Sequence, residues 1–87
     1  MKEDEKKFLI DLYLSSIDDN GLITGKKLYP GDIMHLQDFN IPYKRVLYIL
    51  EKWTDKGWYE YGCSLIYGWL TAKGNDVAKN IISENIT

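Results

Sequence analysis

The sequence predicts an α+β domain, mostly α, in which a three-helix core is joined by a β-hairpin and a C-terminal helix. Three observations carry that prediction. Apolar residues recur at three- and four-residue steps across residues 3–17, 30–39 and 42–56. Aromatic and β-branched residues then crowd into two short runs, Trp58–Tyr61 and Ile66–Thr71, on either side of Gly62-Cys63-Ser64 and Leu65. The chain of 87 residues has no linker, repeat or low-complexity tract, so residues 1–87 read as one domain.

The first helix is predicted over 3–17, with Phe8, Leu9, Leu12 and Ile17 at helical spacing and Ile10, Tyr13 and Leu14 widening the apolar face. Acidic residues in its first turn suit the positive end of the helix dipole. Asp18-Asp19-Asn20-Gly21 ends it, Gly21 being free to take a left-handed conformation. This run lacks the alternating ligand spacing of a calcium loop and reads as a turn. A brief strand is expected at Leu22–Thr24. Pro30 opens a second helix through Phe39, with Ile33, Leu36 and Phe39 on one side.

Asn40 and Pro42 mark a sharp break, Asn40 suited to cap the third helix and Pro42 to its first turn. That helix is expected over about 42–56, its inward stripe formed by Val46, Leu50 and Trp53 and its end set by Gly57. In the hairpin Trp58 is expected in the core. Strand alternation then turns Tyr59 and Tyr61 away from it, and likewise Tyr67 and Trp69 away from Ile66 and Leu70. Thr71 is placed to cap a last helix that starts at Ala72 and carries Val77, Ala78, Ile81 and Ile82.

Composition narrows the function classes. Nothing approaches 18 consecutive apolar residues, which excludes a transmembrane helix. MKEDEKK has no apolar stretch of signal-peptide type behind it. The single cysteine, Cys63, cannot form an internal disulfide, and a cytoplasmic location is expected. One cysteine and one histidine, His35, cannot build a zinc cluster, and glycine-rich phosphate loops are absent, so neither an enzyme nor a metal or cofactor site is expected. The net charge is −2, but it is uneven: residues 1–41 carry five Lys against eight Asp and Glu, whereas residues 42–87 carry six Lys and Arg against five. The C-terminal half is therefore the less repelled by a phosphate backbone.

Helix, possible strand, helix, helix, hairpin, helix is the order of a winged helix-turn-helix. The run Val46-x-x-x-Leu50-x-x-Trp53-x-x-x-Gly57-Trp58 resembles a winged-helix recognition helix passing into the first strand of the wing. Leu70-Thr71-Ala72-Lys73-Gly74 resembles the Leu-Thr-x-x-Gly exit from the wing in bacterial and archaeal regulators of the PadR and MarR kinds. The likeness covers about 30–87. Gly68 stands where PadR-like proteins usually carry an aromatic residue, the Gly-Cys-Ser-Leu wing tip is uncharged where theirs is basic, and the last helix is shorter than theirs.

The resemblance implies a DNA-binding transcriptional regulator, a homodimer, with the third helix in the major groove of double-stranded DNA and a possible wing contact. Its candidate DNA-binding residues are then Tyr43, Lys44, Arg45, Leu47 and Tyr48, with Lys26, Lys27 and Lys52 as phosphate contacts. Arg45 could read a guanine bidentately. The competing reading of these cations is a solvated helix face. The second function class is a winged-helix protein–protein interaction module, of a kind that a phage or mobile element could encode, using Tyr59, Tyr61, Tyr67 and Trp69 as an aromatic interface. The competing reading of those four is that the last helix covers them.

Overall fold

The computed structural model describes residues 1–17, 22 and 28–86, with only the backbone of 85 and 86. The expected turn Asp18-Asp19-Asn20-Gly21, Lys26, Lys27 and all of the expected strand at 22–24 except Leu22 lie outside the described residues. Along the chain come α1 (Glu3–Ser15), α2 (Pro30–Ile33), α3 (Tyr43–Asp55), β1 (Tyr59–Tyr61), a 3-10 turn (Leu65–Tyr67), β2 (Gly68–Leu70) and α4 (Ala72–Ile86). The architecture is α+β and mostly helical, with a two-stranded antiparallel hairpin.

α1 stops at Ser15, two residues short of the expected end. The hydroxyls of Ser15 and Ser16 donate back to the Leu12 and Tyr13 carbonyls, and Ser16 N–H closes a tight turn on Tyr13. The second helix is shorter than its apolar spacing suggests. After Met34 the backbone bonds run three residues back, from His35 to Asp32, Leu36 to Ile33 and Phe39 to Leu36. Such bonds wind the chain more tightly than an α-helix. They bring Phe39 edge-on to Phe8, with ring centroids 5.7 Å apart.

α3 has its N-cap at Pro42, whose carbonyl accepts the first helical bond from Val46 N–H, so Asn40 lies too far upstream to cap it. Val46, Ile49, Leu50 and Trp53 form its fully buried stripe and meet Phe8, Leu9, Leu12 and Tyr13 of α1, Ile33 of α2, Tyr59 and Ala78 in one core. Gly57 ends the helix with φ at +78°, while Trp58 N–H bonds back to the Trp53 carbonyl and Gly57 N–H to that of Thr54. This is the left-handed closure that glycine makes cheaply.

The hairpin pairs Tyr59 with Leu70, Glu60 with Trp69 and Tyr61 with Gly68. Both strands are shorter than expected: β1 begins at Tyr59 instead of Trp58, and Ile66 and Tyr67 belong to the 3-10 turn that precedes β2. The facing also differs. Trp58 precedes the strand and is half-buried under the Lys56 ammonium, 5.0 Å from its ring, whereas Tyr59 is 1% exposed and takes the inward seat. The Tyr59 hydroxyl donates to the Leu65 carbonyl at 2.6 Å and accepts from Gly68 N–H at 2.8 Å. Gly68 is required there, since a Cβ would run into the Glu60 carbonyl and the Tyr59 ring. Thr71 caps α4 by accepting from Gly74 N–H at 3.1 Å, and its hydroxyl donates to the Gly57 carbonyl at 2.6 Å.

Candidate functional site

The sequence offered two surfaces, one on α3 and one on the hairpin. On α3, Tyr43, Lys44 and Tyr48 are exposed and Leu47 is half-buried. Arg45 and Lys52 turn toward α1 instead. The Arg45 guanidinium donates through Nε to Asp4 Oδ2 at 3.1 Å and through Nη2 to Asp4 Oδ1 at 3.2 Å. This is the bidentate fork that Arg would otherwise offer to a guanine or a phosphate. Lys52 Nζ donates to Glu5 Oε1 at 2.9 Å, and Trp53 Nε1 donates to Glu5 Oε2 at 2.9 Å. Glu5 is 1% exposed, and Arg45 lies 3.9 Å from it. The buried carboxylate therefore meets donors at both oxygens, as burial of a charge demands.

The electrostatics follow the geometry. Hydrogen bonds from Arg45 hold the Asp4 carboxyl below its usual range against a smaller opposing desolvation, and Asp4 in turn raises the guanidinium of Arg45. Two of the proposed cations on α3 are thus neutralised within the chain. The acidic first turn of α1, read from sequence as a match to its own helix dipole, holds α3 as well.

A shallow groove of about 200 Å³ runs between α3 and the hairpin, lined by Glu51, Thr54, Asp55, Tyr61 and Leu65. Its two carboxylates, Glu51 and Asp55, are exposed and would meet an approaching phosphate with like charge.

On the hairpin the aromatic set differs from the expected one. Tyr59 leaves it, being buried by its own hydroxyl bonds and the core, and burial pushes that hydroxyl's pKa far above its ordinary value. Tyr61 stays exposed, its ring centroid 6.4 Å from that of Tyr59. Tyr67 and Trp69 are 49% and 36% exposed. Sequence reasoning missed that Leu28 and Tyr29 join them. Tyr29 meets the Tyr67 ring edge-on at 6.0 Å, Tyr67 lies over Gly31, and Leu28 and Trp69 share the rim of one cleft. The missed signal was the Leu-Tyr pair directly before Pro30, an apolar step at a chain break. Leu28, Tyr29, Tyr67 and Trp69 are exposed side chains of the apolar and aromatic kinds that mark protein interfaces, and the exposed Glu60 stands directly across the hairpin from Trp69.

Among the described residues no three or more His, Cys, Asp or Glu side chains converge as metal ligands would, and no helix is long and apolar enough to cross a membrane. His35 and Cys63 are both exposed. Comparison with protein-family models, curated proteins and solved structures finds no match to this chain.

Proposed function

We propose that this chain is a winged-helix protein-interaction module whose binding surface is the aromatic face of Leu28, Tyr29, Tyr67 and Trp69, and whose simplest partner is a second copy of itself. The order of helices and hairpin supports the winged-helix arrangement. One observation carries the choice of a protein partner over DNA: Asp4 and Glu5 occupy Arg45 and Lys52, so α3 is left with Lys44 as the exposed cation of its first turns. A patch made mostly of apolar and aromatic side chains can meet its own image across a two-fold axis, with Glu60 as the one carboxylate set directly opposite Trp69.

The DNA-binding regulator remains as a second reading because Tyr43, Lys44 and Tyr48 stand exposed together near the start of α3. Sedimentation across a range of concentrations, paired with fluorescence anisotropy on a labelled duplex at low salt, separates the two. The interaction reading expects a reversible rise from monomer to dimer mass that Tyr67→Ala or Trp69→Ala abolishes, with no salt-sensitive duplex binding. A monomer at every concentration, with duplex affinity that falls steeply with salt and with Lys44→Ala, would replace it by the DNA reading.

A further inference from the structure

Behind Trp69, helix α1, strand β2 and the start of α4 leave a cleft of about 240 Å³. Leu12, Leu28, Trp69 and Leu70 supply apolar walls, and Ser16 and Asn75 are its polar members. Ser16 is already engaged, its hydroxyl donating to the Tyr13 carbonyl at 2.8 Å. Asn75 is not. The residue is 7% exposed, and its Oδ1 has no hydrogen-bond partner among the described residues. Buried polar atoms in folded proteins are nearly always paired, so a lone buried acceptor beside an apolar cleft is suited to take a donor from a molecule seated there. The terminal torsion of an asparagine is broad, so its amide can turn toward a donor seated in the cleft at little cost.

Size limits what that donor can belong to. The space exceeds the roughly 150 Å³ that accommodates a benzene ring and falls short of the roughly 300 Å³ at which drug-sized pockets begin. We infer that this cleft binds a small, mainly aromatic molecule of one or two rings that bears a single O–H or N–H donor for Asn75. The inference rests on the cleft and Asn75, and does not depend on whether the chain self-associates.

The test uses phenol and toluene, which share a ring and differ in the donor, titrated into the isotopically labelled full chain and followed by NMR, including the Asn75 side-chain amide. Saturable shifts confined to Leu12, Leu70 and Asn75 are expected, with phenol bound about tenfold more tightly than toluene, as one hydrogen bond provides. Asn75→Leu should erase that preference and raise the thermal midpoint, since it removes an unpaired buried acceptor. Leu28→Trp, a change at the exposed rim that leaves the core alone, should weaken both probes by narrowing the mouth. Shifts that never saturate, equal affinities for the two probes in the unaltered chain, or a preference for phenol that survives Asn75→Leu would each overturn the assignment.

Discussion

Helix α1 meets its neighbours by two different chemistries. Toward α3 it presents Asp4 and Glu5, which are answered atom by atom by Arg45, Lys52 and the indole N–H of Trp53. Toward the hairpin and α4 it presents Leu12 and Ser16, which face a cleft where the Asn75 oxygen has no partner among the described residues. The first seam is chemically complete and therefore structural. The second leaves a polar atom unmatched and aromatic rings exposed. Departures from internal consistency of that kind concentrate where proteins work, which favours the hairpin side as the binding surface, while Arg45 and Lys52 hold the fold.

The strongest way to break this contrast is to remove Glu5. Glu5→Ala strips the acceptor from Trp53 and the counter-ion from Lys52, and a loss of about 3 kcal/mol in urea unfolding is expected, the low end for a broken buried ion pair because Lys52 can swing into water. Glu5→Gln, which retains an acceptor for the indole, should cost less. A loss below 1 kcal/mol for the alanine variant would show that the seam is ornamental and would return Arg45 and Lys52 to the pool of ligand-binding cations.

Tyr59→Phe tests the one part of the hairpin that is as fully bonded as the α1–α3 seam. It leaves the Leu65 carbonyl and Gly68 N–H without their hydroxyl, at an expected cost of about 1–3 kcal/mol in the same assay. The loss of an outward-facing tyrosine hydroxyl would cost almost nothing, so a neutral result would contradict the inward seat of Tyr59.

Asp4→Asn should have the smallest effect, because this pair lies near solvent. Its value is the sign of its pH dependence. Arg45 depresses the folded pKa of Asp4 below its ordinary 3.8, so its contribution is present above that pH and is lost as pH falls through the folded value. The difference in thermal midpoint between wild type and Asp4→Asn should therefore be present at neutral pH and close in acid. Asp11 works in the opposite sense, its pKa being raised chiefly by burial, and is the same in both proteins. A gap that stays constant into acid would show that the ion pair does not form in solution.

Local periodicity made much of the fold legible. The stripe Val46, Leu50 and Trp53, the glycine stop at Gly57, the threonine cap at Thr71 and the presence of a hairpin are all decided by residues within a few positions of each other. The α1–α3 pairing was not legible, because Asp4 and Arg45 are 41 residues apart and Glu5 and Trp53 are 48 apart. Nothing local reveals that an acidic first turn will be used by another helix. The inward residue of β1 was missed for a different reason. Strand alternation has a period of two, so an error of one residue in where pairing begins exchanges the faces. The left-handed turn at Gly57 places Trp58 before the ladder and starts it at Tyr59. The spacing of Ile33, Leu36 and Phe39 was real but served a tighter winding, which three-residue spacing fits as well as an α-helix does.

The Thr71 hydroxyl bonds to both ends of the hairpin's surroundings, to the Gly57 carbonyl where α3 stops and to the Gly74 N–H where α4 begins. Everything between Gly57 and Thr71 is thus a loop knotted off at its base. Its tip at Gly62, Cys63 and Ser64 can be lengthened, trimmed or given a chemical tag through the exposed Cys63 thiol without the alteration reaching the helices. For an engineer this is a graft point.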